Sequence, residues 1–309
     1  MNEFDAISCA VLAAMPGWDF VSPLRAFGWT PRRHFRAVLA KAGKRQRVIV
    51  RHSWSVLGFD TEKCLYESVL GDMSFRTPVL LGTFAIDHGE PPWMILEDLG
   101  ESTIADEPAK RHLILPVLGL LHGCGRHLLE AGRLDTGKLV PFPGSHTCHD
   151  EWETFLGDGL TSDRYALPSG VLGCLDRLRD GLAQEPQTLL HGDTDLSNFV
   201  LTADGVAPVD WERALIGPAS LDLGSVVSLD KLSEDMQSYR VAYCQASGHS
   251  MGNEDALRVG GQGILFDSLR WVCYYIRRVE AGNDPGEEWR QLHYEPRLRR
   301  VRAVTRLSG

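Results

Sequence analysis

Apolar positions Phe4, Ile7 and Val11 recur at three- and four-residue intervals, so the chain opens on an amphipathic helix that Asn2 is placed to cap. Pro16-Gly17 ends that pattern. Residues 34–40 and 47–51 then read as two strands, and the intervening Lys41–Gln46, with Gly43 inside it, predicts a hairpin. Thr61–Leu70 returns to helical spacing, Pro78–Ile86 to strand spacing, and a Gly89-Glu90-Pro91-Pro92 turn leads into another strand, Trp93–Glu97. The first hundred residues are therefore mostly sheet with one intervening helix.

The character shifts at Gly100. Residues 108–131 are leucine-rich and predict one or two buried helices, and Val171–Leu182 predicts another. The stretch 137–170 between them is rich in Gly, Pro and polar residues and gives no element. Short strand runs follow at Thr188–Leu190, Phe199–Leu201 and Val206–Trp211, the last two joined through an Asp204-Gly205 turn. From about Ser225 the pattern is helical to the end. A sheet-rich front and a helix-rich back predict an α+β fold of two lobes, residues 1–99 and 100–309, with the boundary near Leu99-Gly100.

The 309 residues are 43% apolar and 24% charged, an ordinary globular composition. Lys and Arg total 32 against 41 Asp and Glu, a net charge of -9, which disfavours a general nucleic-acid binder. Seven scattered cysteines without a CxxC read as reduced thiols. The start Met1-Asn2-Glu3-Phe4-Asp5 is acidic where a secretory signal needs positive charge, and no apolar run approaches the roughly 20 residues that span a bilayer. The expectation is a cytoplasmic protein with neither membrane nor nucleic acid as partner.

Chemistry concentrates at 189–224. His191-Gly192-Asp193 is followed by Asn198 and, at the end of the next apolar run, by Asp210. Their placement at the ends of successive short strands, with a tight hairpin between, predicts that Asp193, Asn198 and Asp210 surround one small volume. Such oxygen donors suit Mg²⁺, which takes one or two protein carboxylates and completes its shell with water and phosphate.

The ordered set HGDTDLSN, VDWE and LDL resembles the catalytic core of the aminoglycoside phosphotransferase family, small-molecule kinases with a bilobal protein-kinase-like fold. The resemblance implies that Asp193 orients and deprotonates an acceptor hydroxyl, that Asn198 and Asp210 hold Mg²⁺, and that His191 supports the loop. Asp222, within Leu221-Asp222-Leu223, is then structural. Kinase-fold enzymes also carry a lysine on the third strand, paired with a glutamate on the following helix. Here Val48-Ile49-Val50 leads into Arg51 instead, and Glu67 matches the glutamate. Arginine can pair bidentately with a carboxylate or a phosphate, but its planar head does not overlay an ammonium.

Gly28 stands where a phosphate-covering loop is expected, in Gly28-Trp29-Thr30-Pro31-Arg32-Arg33. Residues 25–51 hold nine Lys or Arg and no acid, a pattern that fits both a field over a triphosphate and a solvated hairpin with charged edges. Ile95–Gly100 is similar to the segment joining the lobes, which places Glu97 and Leu99 at the nucleotide base.

Other patterns are weaker. Gly132–Lys138 has P-loop spacing but is followed by Leu139, which has no hydroxyl. His122, Cys124 and His127 are zinc-ligand types, yet the two histidines lie five apart on a helix and diverge. The tail Trp289–Gly309 holds six arginines and one glutamate and reads as a solvated helix over an acidic lobe. The expected activity is transfer of the γ-phosphoryl group of ATP or GTP to a hydroxyl of an aminoglycoside-like antibiotic, an amino sugar or another metabolite alcohol. A nucleotide-binding pseudokinase with a regulatory role is the alternative.

Overall fold

The structure, a computed structural model, is described for residues 3–28, 33–86, 90–135, 137–141, 145–162 and 164–306; for 140–141, 145–151, 158 and 304–306 only the backbone is described. Helix α1 (Glu3–Ala14) buries Ile7 and Val11. Strands β1 (Asp19–Ala26), β2 (His34–Lys41) and β3 (Lys44–His52) run antiparallel, and α2 (Val56–Ser68) follows, its first turn closed by the Ser55 side chain accepting from Gly58 N at 3.0 Å. Strands β4 (Leu80–Phe84) and β5 (Trp93–Glu97) complete a five-stranded sheet in the order β1-β2-β3-β5-β4.

The sequence pattern did not show β1. It is an edge strand with Pro23 in it, its register shifts twice against β2, and only Leu24 is buried, so it lacks the alternation of a strand packed along its length. One face of the sheet closes over Ile7, Val11, Phe35, Leu39, Val48, Val50 and Ile95, and the other packs Ile49, Met94 and Leu96 with Phe59 of α2.

Next come α3 (Ile114–Glu130), β6 (Val140–Pro141), α4 (Ser145–Leu160), α5 (Val171–Gln184) and β7 (Gln187–Leu190). α4 occupies the Gly- and Pro-rich stretch whose sequence gave no periodic signal. The hairpin β8 (Phe199–Thr202) and β9 (Gly205–Pro208) is tied to residues 102–104, where Ile104 N donates to Phe199 O at 2.9 Å and Leu201 N to Ser102 O at 2.8 Å.

The remainder is β10 (Leu215–Pro218), α6 (Ser220–Leu223), α7 (Leu232–Ser247), the 28-residue α8 (Asn253–Glu280), α9 (Glu287–Trp289) and α10 (Glu295–Arg306). β10 lies between β6 and β7, and the helices α5, α8 and α10 enclose a second core that includes Leu175, Leu178, Leu269, Ile276, Leu298 and Val301. The chain forms two compact units. The first is Met1–Lys110 with Gly137–Leu139 and Asp195–Ala214; the second is Arg111–Thr136, Val140–Thr194 and Leu215–Gly309. Among the described residues no helix is long and apolar enough to cross a membrane.

Candidate active site

Alternation along β3 sends Val48 and Val50 into the core under α1 and leaves Ile49 and Arg51 on the face toward α2. Arg51 is 4% exposed, and three carboxylates surround its head. Nη1 donates to Glu62 Oε1 at 3.1 Å and to Asp210 Oδ1 at 2.9 Å, and Nη2 donates to Glu212 Oε2 at 2.8 Å. Burial disfavours the charged guanidinium, but the fields of Glu62, Asp210 and Glu212 outweigh it and raise the pKa. Burial acts the other way on Glu62 and, with Asp210 and Glu212 opposing Arg51, pushes its pKa up to about 7.

Arg51 thus pairs with Glu62 and not with the expected Glu67. On α2 the two glutamates are five residues apart, which is about 140° of rotation. Glu62 shares the buried face with Phe59 and Leu65, whereas Glu67 is exposed and lies 3.7 Å from Lys63. The three-residue spacing Phe59-Glu62-Leu65 is the signal in the sequence that places Glu62 on the apolar face. Glu212 was also missed as a partner, although it stands two residues after Asp210.

Asn198 closes a short turn, Leu196–Asn198, which Asp195 caps by accepting from Ser197 N at 2.9 Å. Val209 N donates to Asn198 O at 2.9 Å, so the residue before Asp210 is fastened to the backbone of Asn198. The strand ends there: β9 stops at Pro208 instead of reaching Trp211, and Asp210 takes a left-handed φ of 68°. Aspartate tolerates that region better than most side chains, and the turn directs Asp210 toward Arg51.

A cavity of about 430 Å³ in the first unit is lined by Gly28, Arg51, Glu97, Leu99, Asn198 and Asp210, together with apolar Leu96, Val200 and Phe27. Glu67 lines a different cavity, beside Leu70 and Arg76. Trp29–Arg32 of the expected phosphate loop lie outside the described residues. Of the basic residues at 25–51, Arg36 and Arg47 lie 3.4 and 3.0 Å from Asp98, and Arg36 also donates to Gly100 O at 2.7 Å. Two of those nine charges are therefore spent on the segment after β5.

In the second unit, β7 runs into His191-Gly192-Asp193. Asp222 organises this loop: Oδ2 accepts from His191 N at 2.6 Å and Oδ1 from Gly192 N at 3.0 Å. Gly192 has a φ of 79°, which a side chain would strain. His122 Nε2 lies 3.1 Å from Asp222 Oδ2 and its Nδ1 3.0 Å from Tyr239 Oη. Both ring nitrogens are thereby used, which leaves His122 no lone pair for zinc; the side chains of His146, Cys148 and His149 lie outside the described residues. Burial raises the Asp222 pKa, but the hydrogen bond from His122 and the fields of His122 and His191 bring it below the ordinary value. Asp193 N lies 3.3 Å from His191 Nδ1, and Thr194 Oγ1 donates to Asp222 O at 2.9 Å, so both neighbours of Asp193 are held.

A family model for the phosphotransferase enzyme family matches residues 70–259, and the chain belongs to this family, that of the aminoglycoside phosphotransferases. Its fold is protein-kinase-like and mixed α+β, with a sheet-rich N-terminal and a helical C-terminal region. A candidate aminoglycoside phosphotransferase of Ralstonia eutropha is similar at 16% identity, with 98% of both chains covered and a TM-score of 0.61. A macrolide 2'-phosphotransferase of Brachybacterium faecium gives 14%, 97% of both chains and 0.59. A choline kinase of Cryptosporidium parvum gives 11%, 94% of this chain and 91% of that one, and 0.58. No curated protein matches this sequence.

Proposed function

We propose that the chain transfers the γ-phosphoryl group of ATP or GTP to a hydroxyl group of a small molecule. The observation that carries this reading is the meeting of Arg51, Asn198 and Asp210 on one cavity wall. In support, an aminoglycoside phosphotransferase mutant of similar fold, at a TM-score of 0.51, was solved with AMP-PNP and hygromycin B. Residues 1–99 form the nucleotide-binding lobe in this reading, and 100–309 the catalytic and acceptor-binding lobe.

The donor set fits Mg²⁺: an amide and a carboxylate oxygen on the same cavity, in a cluster whose Glu62, Asp210 and Glu212 oxygens lie within 4.8 Å of one another. Asn198 and Asp210 would hold the ion, which when bound neutralises charge on the phosphates. Arg51, steadied by Glu62 and Glu212, presents a fixed positive charge to the nucleotide. Glu97 and Leu99 offer backbone groups to the base, and Gly28 allows close approach of the first hairpin. Asp193 accepts the proton of the acceptor hydroxyl, and His191 holds its backbone. Aminoglycoside-like antibiotics, amino sugars and other metabolite alcohols are the acceptor candidates, and the site is that of a cytoplasmic enzyme.

A pseudokinase is the second reading, favoured by one observation: Arg51 already contributes a cation to Asp210 at 2.9 Å. Mg²⁺-dependent consumption of ATP or GTP across a library of alcohols separates the two. Acceptor-stimulated turnover supports the kinase; nucleotide binding without turnover for any alcohol supports the pseudokinase.

A further inference from the structure

The arginine-rich tail has a counterpart in the second unit. Asp267 of α8 is 2% exposed, and three guanidiniums converge on it. Arg270 of the same helix lies 3.1 Å from Oδ1, while Arg297 and Arg300 of α10 lie 3.7 and 3.9 Å from Oδ2. The two α10 arginines stop short of hydrogen-bond distance, so Asp267 Oδ2 and the buried Arg297 Nε have no hydrogen-bond partner. Arg111, which precedes α3, acts electrostatically on Arg300 and makes no hydrogen bond or ion pair among the described residues. Asp230 also acts on Arg300. Among the described residues, three guanidiniums thus lie within 4 Å of the one Asp267 carboxylate, with the Arg297 Nε–H unspent. Burial, with the fields of Arg297 and Arg111, lowers the Arg300 pKa despite the opposing Asp267 and Asp230.

This cluster adjoins the catalytic loop. Gly224 packs so tightly against α8 that a Cβ placed on it would lie 2.6 Å from Asp267 Cβ. The next residue, Ser225, donates through Oγ to Thr194 O at 2.9 Å, and Thr194 follows Asp193. A packing contact and a hydrogen bond thus link the cluster to the proposed base. An arginine helix meant only to pin α10 to α8 would need one matched pair, and the surplus repels a polycationic acceptor. Arginine forks with free N–H groups match carboxylate and phosphate oxygens.

We propose that the acceptor is a hydroxyl compound carrying an anionic group, a carboxylate or a phosphate, bound by Arg111 and Arg300 with Arg297 beside them. The inference rests on the kinase reading of the same site. Glycerate, glycerol 3-phosphate and kanamycin are the probes, titrated calorimetrically into the protein with Mg²⁺ and AMP-PNP. At least one anionic probe should bind about tenfold or more tighter than kanamycin, and the better of the two identifies the anion. Arg111→Gln and Arg300→Gln should each weaken that probe about tenfold while the affinity for Mg²⁺-AMP-PNP and the melting temperature of the Arg111 variant stay unchanged. Kanamycin binding as tightly as both anions, or an Arg111→Gln variant that binds them as the parent does, overturns the proposal. Failure of AMP-PNP itself to bind would instead sink the kinase reading, and is read in a separate titration.

Discussion

Arg51 and Asp267 are centres of opposite clusters. In the first unit one buried guanidinium stands among Glu62, Asp210 and Glu212; in the second, one buried carboxylate stands among Arg270, Arg297 and Arg300. A third centre, Asp222, shows what a balanced one is like: its two oxygens accept from two backbone N–H groups and contact a histidine that is itself engaged by Tyr239. Buried charge is costly to desolvate, and a fold needing only an anchor does best with a matched, fully hydrogen-bonded pair. A surplus of acid fits a place where a cation is to come, and a surplus of arginine fits a place where an anion is to come. The balanced centre holds the His191–Asp193 loop.

The largest effect is expected at that loop. Asp193→Asn should lower kcat by about 10²- to 10⁴-fold with nucleotide affinity unchanged, measured by steady-state kinetics and calorimetry; comparable turnover would remove Asp193 as base. Next comes the acid-rich cluster. Arg51→Ala leaves three acids without their cation and should cost about 3–5 kcal/mol of stability, read by denaturant unfolding, and should weaken nucleotide binding. Unchanged nucleotide affinity would return Arg51 to a purely structural part.

Two buried carboxylates of the second unit should respond to pH in opposite senses. Burial raises Glu185 from 4.5 to about 7, its Oε2 accepting from Ser220 N at 3.2 Å. A raised acid binds more protons folded than unfolded, so its contribution declines as pH rises from about 4.5 to about 7. Asp222 is lowered below 3.8, so its stabilisation is present above that value and is lost as pH falls through the folded pKa. Melting temperature against pH should lose the first slope in Glu185→Gln and the acid-side slope in Asp222→Asn. The smallest effect belongs to Glu67→Gln, which should change stability by less than about 0.5 kcal/mol and leave nucleotide KM alone, whereas Glu62→Gln should raise it.

The sheet-then-helix order was legible because β2, β3 and β5 carry β-branched and apolar runs between clear turns, and the Asn198–Asp210 hairpin because its motif is long and ordered. What escaped the sequence has a physical cause in each case. β1 is an edge strand with a proline, so little of it is buried. The partner of Arg51 is set by the rotational phase of α2, which moves Glu67 to solvent and Glu62 inward. Glu212 and Asp267 matter through residues far away in number, Arg51 and the α10 arginines, and no local pattern announces such pairs.

Calorimetric titration of AMP-PNP, with and without Mg²⁺, into the parent chain and Asp210→Asn is the most direct test of the nucleotide site. Tight binding that requires Mg²⁺ in the parent and is lost in the variant, with melting temperature retained, is the result expected from Asn198 and Asp210 as ion ligands. Equal affinity with and without Mg²⁺, or an Asp210→Asn variant indistinguishable from the parent, would contradict it.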